Sequence, residues 1–165
     1  MLYFAYGSNL SLARLRRRVP SARPLGIAEL SGHRLQFHKA GGDGSAKCDA
    51  FHTGQAADVV LGRVYHIDPA EKYVLDRAES LGVGYEERQV DVRLNGDEVT
   101  NVFSYHALRI NPRDYPYDWY RHHVEVGSLE AGLPEAYVEG IRAVPVKPDP
   151  VVSRARHEWD HYPDR

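Results

Sequence analysis

The sequence predicts an α+β domain, in the form of a small mixed or antiparallel β-barrel flanked by helices or of a strongly curled sheet. Three observations support this class. About six apolar or alternating segments have the length and residue types of strands, helical segments lie between them, and several neighbouring strands are joined by short turns that favour antiparallel pairing. The chain has 165 residues, which is enough for one domain with a full hydrophobic core and too few for two.

The first half of the chain alternates predicted strands with predicted helices. The strands are residues 2–6, 25–30, 33–38 and 57–67, and the helices are residues 11–19 and 68–80. Asp68 can cap the second helix, and Pro69 suits its first turn. The Gly-rich segment 40–55 is predicted to be a long loop. Four arginines of the first helix, Arg14 and residues 16–18, are predicted to lie on solvated faces near its C-terminal end.

The second half predicts a hairpin followed by two helices. Alternating segments at 85–94 and 99–108 flank an Asn-Gly-Asp turn, and two helical segments at 117–144 are separated by Gly132 and Pro134. Residues 1–145 are therefore predicted to form a single domain. Residues 146–165, which are proline-rich at first and then charged, are predicted to form a C-terminal tail.

Composition and charge give no sign of a polymeric or membrane partner. The chain is 42% hydrophobic and 27% charged, with a net charge of −2, so nothing favours nucleic acid or a membrane surface. The single cysteine, Cys48, excludes an internal disulfide framework and fits a reducing cytosol. No segment has the length of a membrane span, and the N-terminus shows no leader pattern. We expect a cytoplasmic protein, and its oligomeric state is left open, with a homodimer among the states allowed.

A motif near the C-terminus has the spacing of a zinc site but lacks its context. Residues 157–161 read His-Glu-Trp-Asp-His and match the H-E-x-x-H pattern, which on a helix places both histidines on one face. Only four residues follow His161, so no third ligand can come from downstream. Pro163 also follows almost at once. We expect no metal at this motif.

The Gly-Ser-Asn turn at residues 7–9 is the first candidate site. An apolar strand ends at Gly7 and a helix follows at once, which exposes consecutive backbone N–H groups at a positive helix end. Such a nest binds a carboxylate or phosphate without a basic side chain. The alternative is that Ser8 or Asn9 only caps the helix, and the fragment alone does not decide between the two.

Glu79 is the second candidate because of where it lies. It ends the predicted helix, taken as residues 69–79, where a carboxylate opposes the helix dipole, and it follows Leu75 and Ala78 on the apolar side. A glutamate in that position is usually exposed, whereas in a cleft it suits general acid–base catalysis. Cys48, by contrast, lies in the Gly-rich segment with no activating partner and is interpreted as a spectator thiol.

Together these segments resemble the γ-glutamylcyclotransferase family. The opening LYFAYGSNL is similar to that family's N-terminal signature nearly residue for residue, and LDRAES resembles the stretch that carries its catalytic glutamate. FSYHAL and YRHHVEVGSLEAGLPEAYVEGIRAV are similar to a later strand and to the C-terminal pattern of the family. The resemblance covers roughly residues 1–145 in consistent order, and the tail has no assigned counterpart.

The resemblance implies a γ-glutamylcyclotransferase-like barrel and an enzyme that cyclises a γ-glutamyl group. The α-amine attacks the γ-amide carbonyl, which gives 5-oxoproline and releases an amine or amino acid, with no metal or organic cofactor. Glu79 is implied to be the catalytic residue. The substrate-binding residues implied are Tyr6, Gly7, Ser8, Asn9, Leu10, Tyr85, Tyr105 and Tyr120.

The residues are suited to that chemistry. One carboxylate can take a proton from the α-ammonium and then protonate the departing amine. A backbone grip on the α-carboxylate folds the glutamyl chain for attack, and tyrosines offer neutral hydroxyls. Two alternatives stay open: a non-catalytic binding protein of the same fold, and an enzyme that removes a γ-glutamyl group from a pathway-specific amine. The leaving group is not determined, and the segment 41–55 is the best candidate for part of the wall that selects it.

Overall fold

The computed structural model describes residues 1–161. Within that part of the chain the strands are β1 Leu2–Ala5, β2 Arg23–Ser31, β3 His33–Ala40, β4 Ala46–His52, β5 Val59–His66, β6 Tyr85–Leu94 and β7 Asp97–Ala107. The α-helices are α1 Leu12–Arg16, α2 Lys72–Ala78, α3 Asp118–Ala131, α4 Glu135–Arg142 and α5 Val152–Trp159. Short 3₁₀ turns at Ser8–Leu10 and Pro69–Glu71 precede α1 and α2.

Five of the strands close into a barrel in the order β1-β5-β2-β6-β7. Neighbouring strands are antiparallel except β1 and β7, which run parallel and close the barrel where Tyr3 lies opposite Phe103. Closure removes the exposed edges that an open sheet would present. The predicted fold class, a small mixed barrel with flanking helices, is confirmed.

β1 is covered on both faces, which explains its apolar and aromatic sequence. Phe4 packs in one core cluster with Val64 and Val102. Tyr3 and Ala5 belong to a second cluster, because successive residues of a strand point to opposite faces. β1 therefore leads from the core directly into the turn at residues 7–9.

The segment 40–55 was predicted to be one long loop, and that prediction is wrong. β4 lies within it and pairs antiparallel with β3 as a hairpin beside the barrel, so that only residues 41–45 and 53–55 fit the prediction. Cys48 and Ala50 are buried in the same cluster as Tyr120 of α3. Their small side chains indicate a loop by propensity, but packing against the domain and pairing with β3 make this segment a strand.

The other elements lie close to their predicted positions. The carboxylate of Asp68 accepts a hydrogen bond from the N–H of Ala70 at 2.8 Å and caps the 3₁₀ turn that leads into α2. Gly132 ends α3 with a φ of +74°, a left-handed conformation that glycine adopts without strain. None of the helices within residues 1–161 combines the length and the apolar character needed to cross a membrane.

Residues 146–161, the described part of the predicted tail, lie against the domain. The carboxylate of Asp149 accepts from Nε1 of Trp119 at 2.9 Å and is paired with Arg154 at 2.6 Å. The ring of Trp159 in α5 lies 4.9 Å from the ring of His122 in α3. Residues 162–165, which include Pro163, lie outside the described residues.

The H-E-x-x-H motif lies on α5 and the turn that follows it. The carboxylate of Glu158 pairs with Arg14 at 2.6 Å and with His123 at 2.8 Å. The Nδ1 atom of His161 lies 3.1 Å from the carbonyl oxygen of His157. Within residues 1–161, no three His, Cys, Asp or Glu side chains are arranged to hold a metal ion. The glutamate of the motif therefore attaches α5 to α1 and α3.

Candidate active site

A cavity beside the first turn brings together side chains that are far apart in the sequence. Its empty volume, with the open mouth included, is about 290 Å³. The residues that line it are Tyr3, Tyr6, Gly7, Ser8, Asn9, Cys48, Glu79, Tyr85, Tyr105 and Tyr120. The structure thus gathers every residue predicted for the site except Leu10. Its lining of hydroxyl, amide and carboxylate groups suits a small polar ligand.

Leu10 lies outside the cavity. Its side chain is fully buried in a cluster with Leu133 and Val138. Its N–H donates to the carbonyl of Gly7 at 2.9 Å, and its carbonyl accepts from the hydroxyl of Tyr65 at 2.7 Å. Because both backbone groups and the side chain are engaged, Leu10 anchors the turn to the core instead of facing a ligand.

Gly7 is needed because other parts of the chain approach the turn closely. A Cβ atom at this position would lie 3.1 Å from the Cβ of Cys48 and 3.5 Å from the hydroxyl of Tyr120. The first N–H groups of a helical turn have no acceptor within it, and those of Ser8 and Asn9 are in that position. The turn therefore keeps backbone donors at the cavity, as the nest interpretation requires.

Neither Ser8 nor Asn9 caps the helix by its side chain. Ser11 caps α1 instead, through its hydroxyl oxygen and a backbone N–H of the first turn. The amide nitrogen of Asn9 donates to the hydroxyl of Tyr3 at 3.0 Å and to Oε1 of Glu79 at 2.9 Å. Asn9 thus connects the two candidate sites directly.

Glu79 lies at the end of α2 with its side chain 15% exposed. The helix ends there because the next residue, Ser80, has a φ of +51°, a conformation typical of the residue after a helix. The Oε1 atom accepts from Asn9 and also from Nη1 of Arg18 at 3.2 Å. Two donors thus hold one carboxylate oxygen, while Oε2 has no partner within residues 1–161.

Arg18 and Arg14 correct the prediction that the arginines of the first helix are solvated. Arg18 donates to Glu79 and to Oδ1 of Asn9, and Arg14 is only 9% exposed and pairs with Glu158. These carboxylates lie 61 and 144 residues further along the chain. No local sequence pattern reports an ion pair of that separation, so no signal could have identified Arg18.

Burial keeps the tyrosine hydroxyls of the cavity neutral. Loss of hydration on burial is the main reason why the pKa of each of these groups is raised above its usual value. The tyrosines concerned are Tyr3, Tyr6, Tyr85, Tyr105 and Tyr120. They can therefore orient a ligand by hydrogen bonding without taking its proton.

Hydrogen bonds to the backbone of Cys48 determine how two of these hydroxyls are used. Tyr85 donates to the carbonyl of Cys48 at 2.7 Å, so it offers only lone pairs to the cavity. Tyr120 accepts from the N–H of Cys48 at 3.0 Å and keeps its own proton to donate. Tyr6 donates to the carbonyl of Tyr105 and is, like Tyr85, an acceptor toward a ligand.

Tyr3 and Cys48 line the cavity although the sequence singled out neither. Tyr3 is part of the opening motif, and the alternation of the strand would have placed it on the face opposite Phe4. Cys48 was interpreted as a spectator thiol because its segment was predicted to be a loop and offered no activating partner. Burial raises the pKa of its thiol, so the thiol stays protonated and the backbone of Cys48 is what orients the site.

A wider chamber adjoins the cavity. Its empty volume, with the open mouth included, is about 600 Å³, and it shares Ser8, Glu79, Tyr85 and Tyr120 with the cavity. The basic side chains that line it are Arg14, Arg18, Lys39 and Lys47. The turn 41–44 supplies Gly41, Gly42 and Asp43 to the lining, and Lys47 comes from β4. The segment 41–55 therefore contributes to the outer wall of the site.

Comparison with known proteins identifies relatives that share most of this architecture. Residues 59–141 match the AIG2-like family. The chain is 31% identical to the γ-glutamylcyclotransferases of Homo sapiens and of Mus musculus, over 87% of this chain and 78% of each relative. A solved structure of a γ-glutamyl cyclotransferase aligns with a TM-score of 0.81 at 28% identity, with 89% of both chains covered. The chain therefore belongs to the γ-glutamylcyclotransferase family, as its opening motif predicts.

Proposed function

We propose that this chain cyclises the γ-glutamyl group of a γ-glutamyl amino acid or amine to 5-oxoproline and releases the amine. Membership of the family supports the reaction. The observation that carries the proposal is the state of Glu79: one carboxylate oxygen is fixed by Asn9 and Arg18, while the other has no hydrogen-bond partner among the described residues and lies in a cavity that also holds the turn at residues 7–9. A protein that only bound its ligand would gain little from a carboxylate held in this way.

In the proposed complex the inner cavity takes the glutamyl head. The backbone N–H groups of Ser8 and Asn9 bind its α-carboxylate, and Tyr120 donates a further hydrogen bond. Tyr6 and Tyr85 accept hydrogen bonds from the α-ammonium. Fixing both ends of a flexible chain brings the α-nitrogen close to the γ-carbonyl carbon, and such an arrangement can lower a barrier substantially.

Glu79 moves the protons of the reaction. Its Oε2 takes a proton from the α-ammonium, and the freed amine attacks the γ-carbonyl carbon. A C–N bond forms in the five-membered ring and the γ-amide C–N bond breaks. The ring nitrogen keeps one of the ammonium protons and the leaving nitrogen gains the other two, so the amine departs as an ammonium ion and Glu79 returns to a carboxylate. Atoms balance without water or an oxidant.

The proposal is tested by incubating the protein with a set of γ-glutamyl amino acids and γ-glutamylamines and measuring 5-oxoproline. Glu79→Gln should lower kcat by about 10²- to 10⁴-fold, the range attributed to general acid–base catalysis, with an unchanged melting temperature. The matched control is Glu98→Gln, which alters an exposed glutamate of β7 and should leave activity intact. Full turnover by Glu79→Gln would contradict the assigned role.

The alternative of a binding protein with the same fold makes a different prediction. Such a protein would bind γ-glutamyl compounds saturably without forming 5-oxoproline from any of them. The enzyme that removes a γ-glutamyl group from one pathway-specific amine would instead turn over one compound of the set far faster than the others.

We also propose that the protein is cytoplasmic and acts on a small molecule without a nucleic-acid or membrane partner. The buried free thiol of Cys48 and the near-neutral charge of the chain support this location and partner class. A homodimer is compatible with both, and sedimentation of the purified chain would measure its oligomeric state.

A further inference from the structure

Among the basic side chains of the outer chamber, Lys39 differs from the others in having no acidic partner. The others are each paired with a carboxylate of the chain: Arg14 with Glu158, Arg18 with Glu79, and Lys47 with Asp43. The Nζ atom of Lys39 makes no ion pair and no hydrogen bond to any residue within 1–161. A cation that is largely removed from water normally has a partner.

Packing and a cation–π contact, rather than an ion pair, hold Lys39 in place. The residue is 7% exposed, and its Nζ lies 4.7 Å from the centre of the Tyr85 ring, within range of a cation–π contact. A Cβ atom on Gly84 would lie 3.0 Å from this Nζ and 3.0 Å from the carbonyl oxygen of Glu79. The absence of a side chain at Gly84 therefore leaves the ammonium beside the C-terminal end of α2, next to the residue that carries out the proton transfers.

The course of the proposed reaction determines which part of a substrate reaches this ammonium. The glutamyl head occupies the inner cavity, and Glu79 and Tyr85 line both the cavity and the chamber. The bond that breaks therefore lies at the junction, and the released group extends into the chamber. A substituent on the carbon next to the leaving nitrogen lies close to Glu79 and thus close to Lys39.

We propose that Lys39 is a specificity-determining residue whose ammonium binds a carboxylate on the carbon next to the leaving nitrogen. The chain then prefers γ-glutamyl derivatives of α-amino acids over those of simple amines. This inference rests on the proposed function, because it assumes that the released group enters the outer chamber. Burial lowers the pKa of Lys39 because it disfavours the charged form of the side chain. A bound carboxylate would offset the cost of burying this charge, as Asp43 does for Lys47.

The competing explanation is that Lys39 acts on Glu79. Its ammonium lies near that residue, so it would then influence every substrate equally through the catalytic carboxylate. The two explanations are separated by a pair of substrates that differ only in the carboxylate. γ-Glutamylalanine and γ-glutamylethylamine form such a pair, since ethylamine is alanine without its carboxyl group.

The experiment measures kcat/KM for both compounds with four proteins: the wild type, Lys39→Met, Lys39→Arg and Arg109→Met. Methionine keeps most of the length of the side chain and removes the charge, whereas arginine keeps the charge. Arg109 is exposed and lies outside the chamber lining, yet its charge acts on Lys39, so it controls for a general loss of positive charge. Melting curves confirm that each variant folds.

We expect the wild type to prefer γ-glutamylalanine by about 10- to 100-fold, the range for a hydrogen bond between charged groups. Lys39→Met should lose that preference because its kcat/KM falls for γ-glutamylalanine alone. Its kcat/KM for γ-glutamylethylamine should stay within about twofold of the wild-type value. Lys39→Arg should keep part of the preference, and Arg109→Met should keep all of it. An equal loss on both compounds, or no change on either, would overturn the inference.

Binding measurements separate a failure of this inference from a failure of the proposed function. Dissociation constants for the same two compounds are measured by calorimetry on Glu79→Gln, with and without Lys39→Met. If no protein forms 5-oxoproline but γ-glutamylalanine binds more tightly only when Lys39 is present, the cyclisation is refuted and the carboxylate site stands. If the two compounds bind equally in both backgrounds, the carboxylate site is refuted whatever the turnover.

Discussion

The inner cavity and the outer chamber share a wall but are built from different chemistry. The cavity is lined mainly by neutral hydroxyls and amides, several of which are fixed by hydrogen bonds to the backbone, as Tyr85 and Tyr120 are fixed by Cys48. The chamber is lined by charged side chains that mostly pair with one another, whereas Lys39 has no ion-pair partner in the part of the chain that the structure describes. Glu79 lies at the boundary between them.

This difference suggests that the cavity and the chamber bind different parts of the substrate. Backbone-fixed groups hold a constant part of the substrate in one geometry, which the glutamyl head requires if its own amine is to reach its own carbonyl. Charged side chains on a turn and a hairpin can change without disturbing the barrel, which suits a wall that selects a variable leaving group. Substitutions in the cavity, or of a residue that holds Glu79, should therefore affect all substrates alike, and those of chamber side chains that do not contact Glu79 should discriminate between them.

Among substitutions that leave Glu79 in place, the largest effect should come from filling the cavity. Gly7→Val adds a branched side chain where even a Cβ would lie 3.1 Å from Cys48 and 3.5 Å from the hydroxyl of Tyr120. We expect kcat/KM to fall by about 10²-fold for γ-glutamylalanine and γ-glutamylethylamine alike, since a displacement of the turn by about 1 Å misplaces the reacting groups.

The chain offers a matched glycine for this test. Gly42 lines the outer chamber, and a Cβ atom there would meet nothing within 4 Å. Gly42→Ala should keep wild-type activity, with melting temperatures recorded for both variants. A Gly7→Val protein that folds and turns over both compounds normally would show that the turn does not shape the cavity.

An intermediate effect should come from the boundary. Arg18→Gln removes one of the two donors to Oε1 of Glu79 and a donor to Asn9. We expect kcat to fall about tenfold for both compounds with little change in KM, because the carboxylate loses a charge-assisted hydrogen bond that positions it. Arg18→Lys should recover part of the loss, and Arg17→Gln, at an exposed neighbour, should cost nothing.

A rise in KM without a fall in kcat would instead place Arg18 in substrate binding. A loss restricted to γ-glutamylalanine would assign to Arg18 the role inferred for Lys39. Either result would contradict the positioning role that Arg18 is expected to have through Glu79.

Elements defined by local signals were predictable from the sequence, and contacts between distant segments were not. The capped helix at Asp68 and the hairpin at 85–94 carry their own start, stop and alternation patterns, and both are found in place. β4 was missed because Cys48 and Ala50 favour a strand only through what packs on them.

The candidate site divides in the same way. The turn at residues 7–9 and Glu79 could be singled out because each follows directly on an element with clear sequence boundaries. The ion pair of Arg18 with Glu79 spans 61 residues and has no local signature. Nor does any pattern in the sequence show that Tyr120 accepts from Cys48 while Tyr85 donates to it, because those directions depend on the register of β3 and β4.

The smallest effect requires no substitution and bears most directly on the comparison. Raising the ionic strength from about 0.1 M to about 1 M shortens the Debye length from about 10 Å to about 3 Å, which weakens attraction in an open chamber. Both compounds carry the same glutamyl head, so any screening at the inner cavity cancels in the ratio of their kcat/KM values. The value of kcat/KM for γ-glutamylalanine, divided by that for γ-glutamylethylamine, should fall about threefold. It falls because salt weakens the attraction between the Lys39 ammonium and the substrate carboxylate. Lys39→Met, which has no such pair, should show a flat ratio, and a flat ratio in the wild type would mean that the chamber does not select by charge.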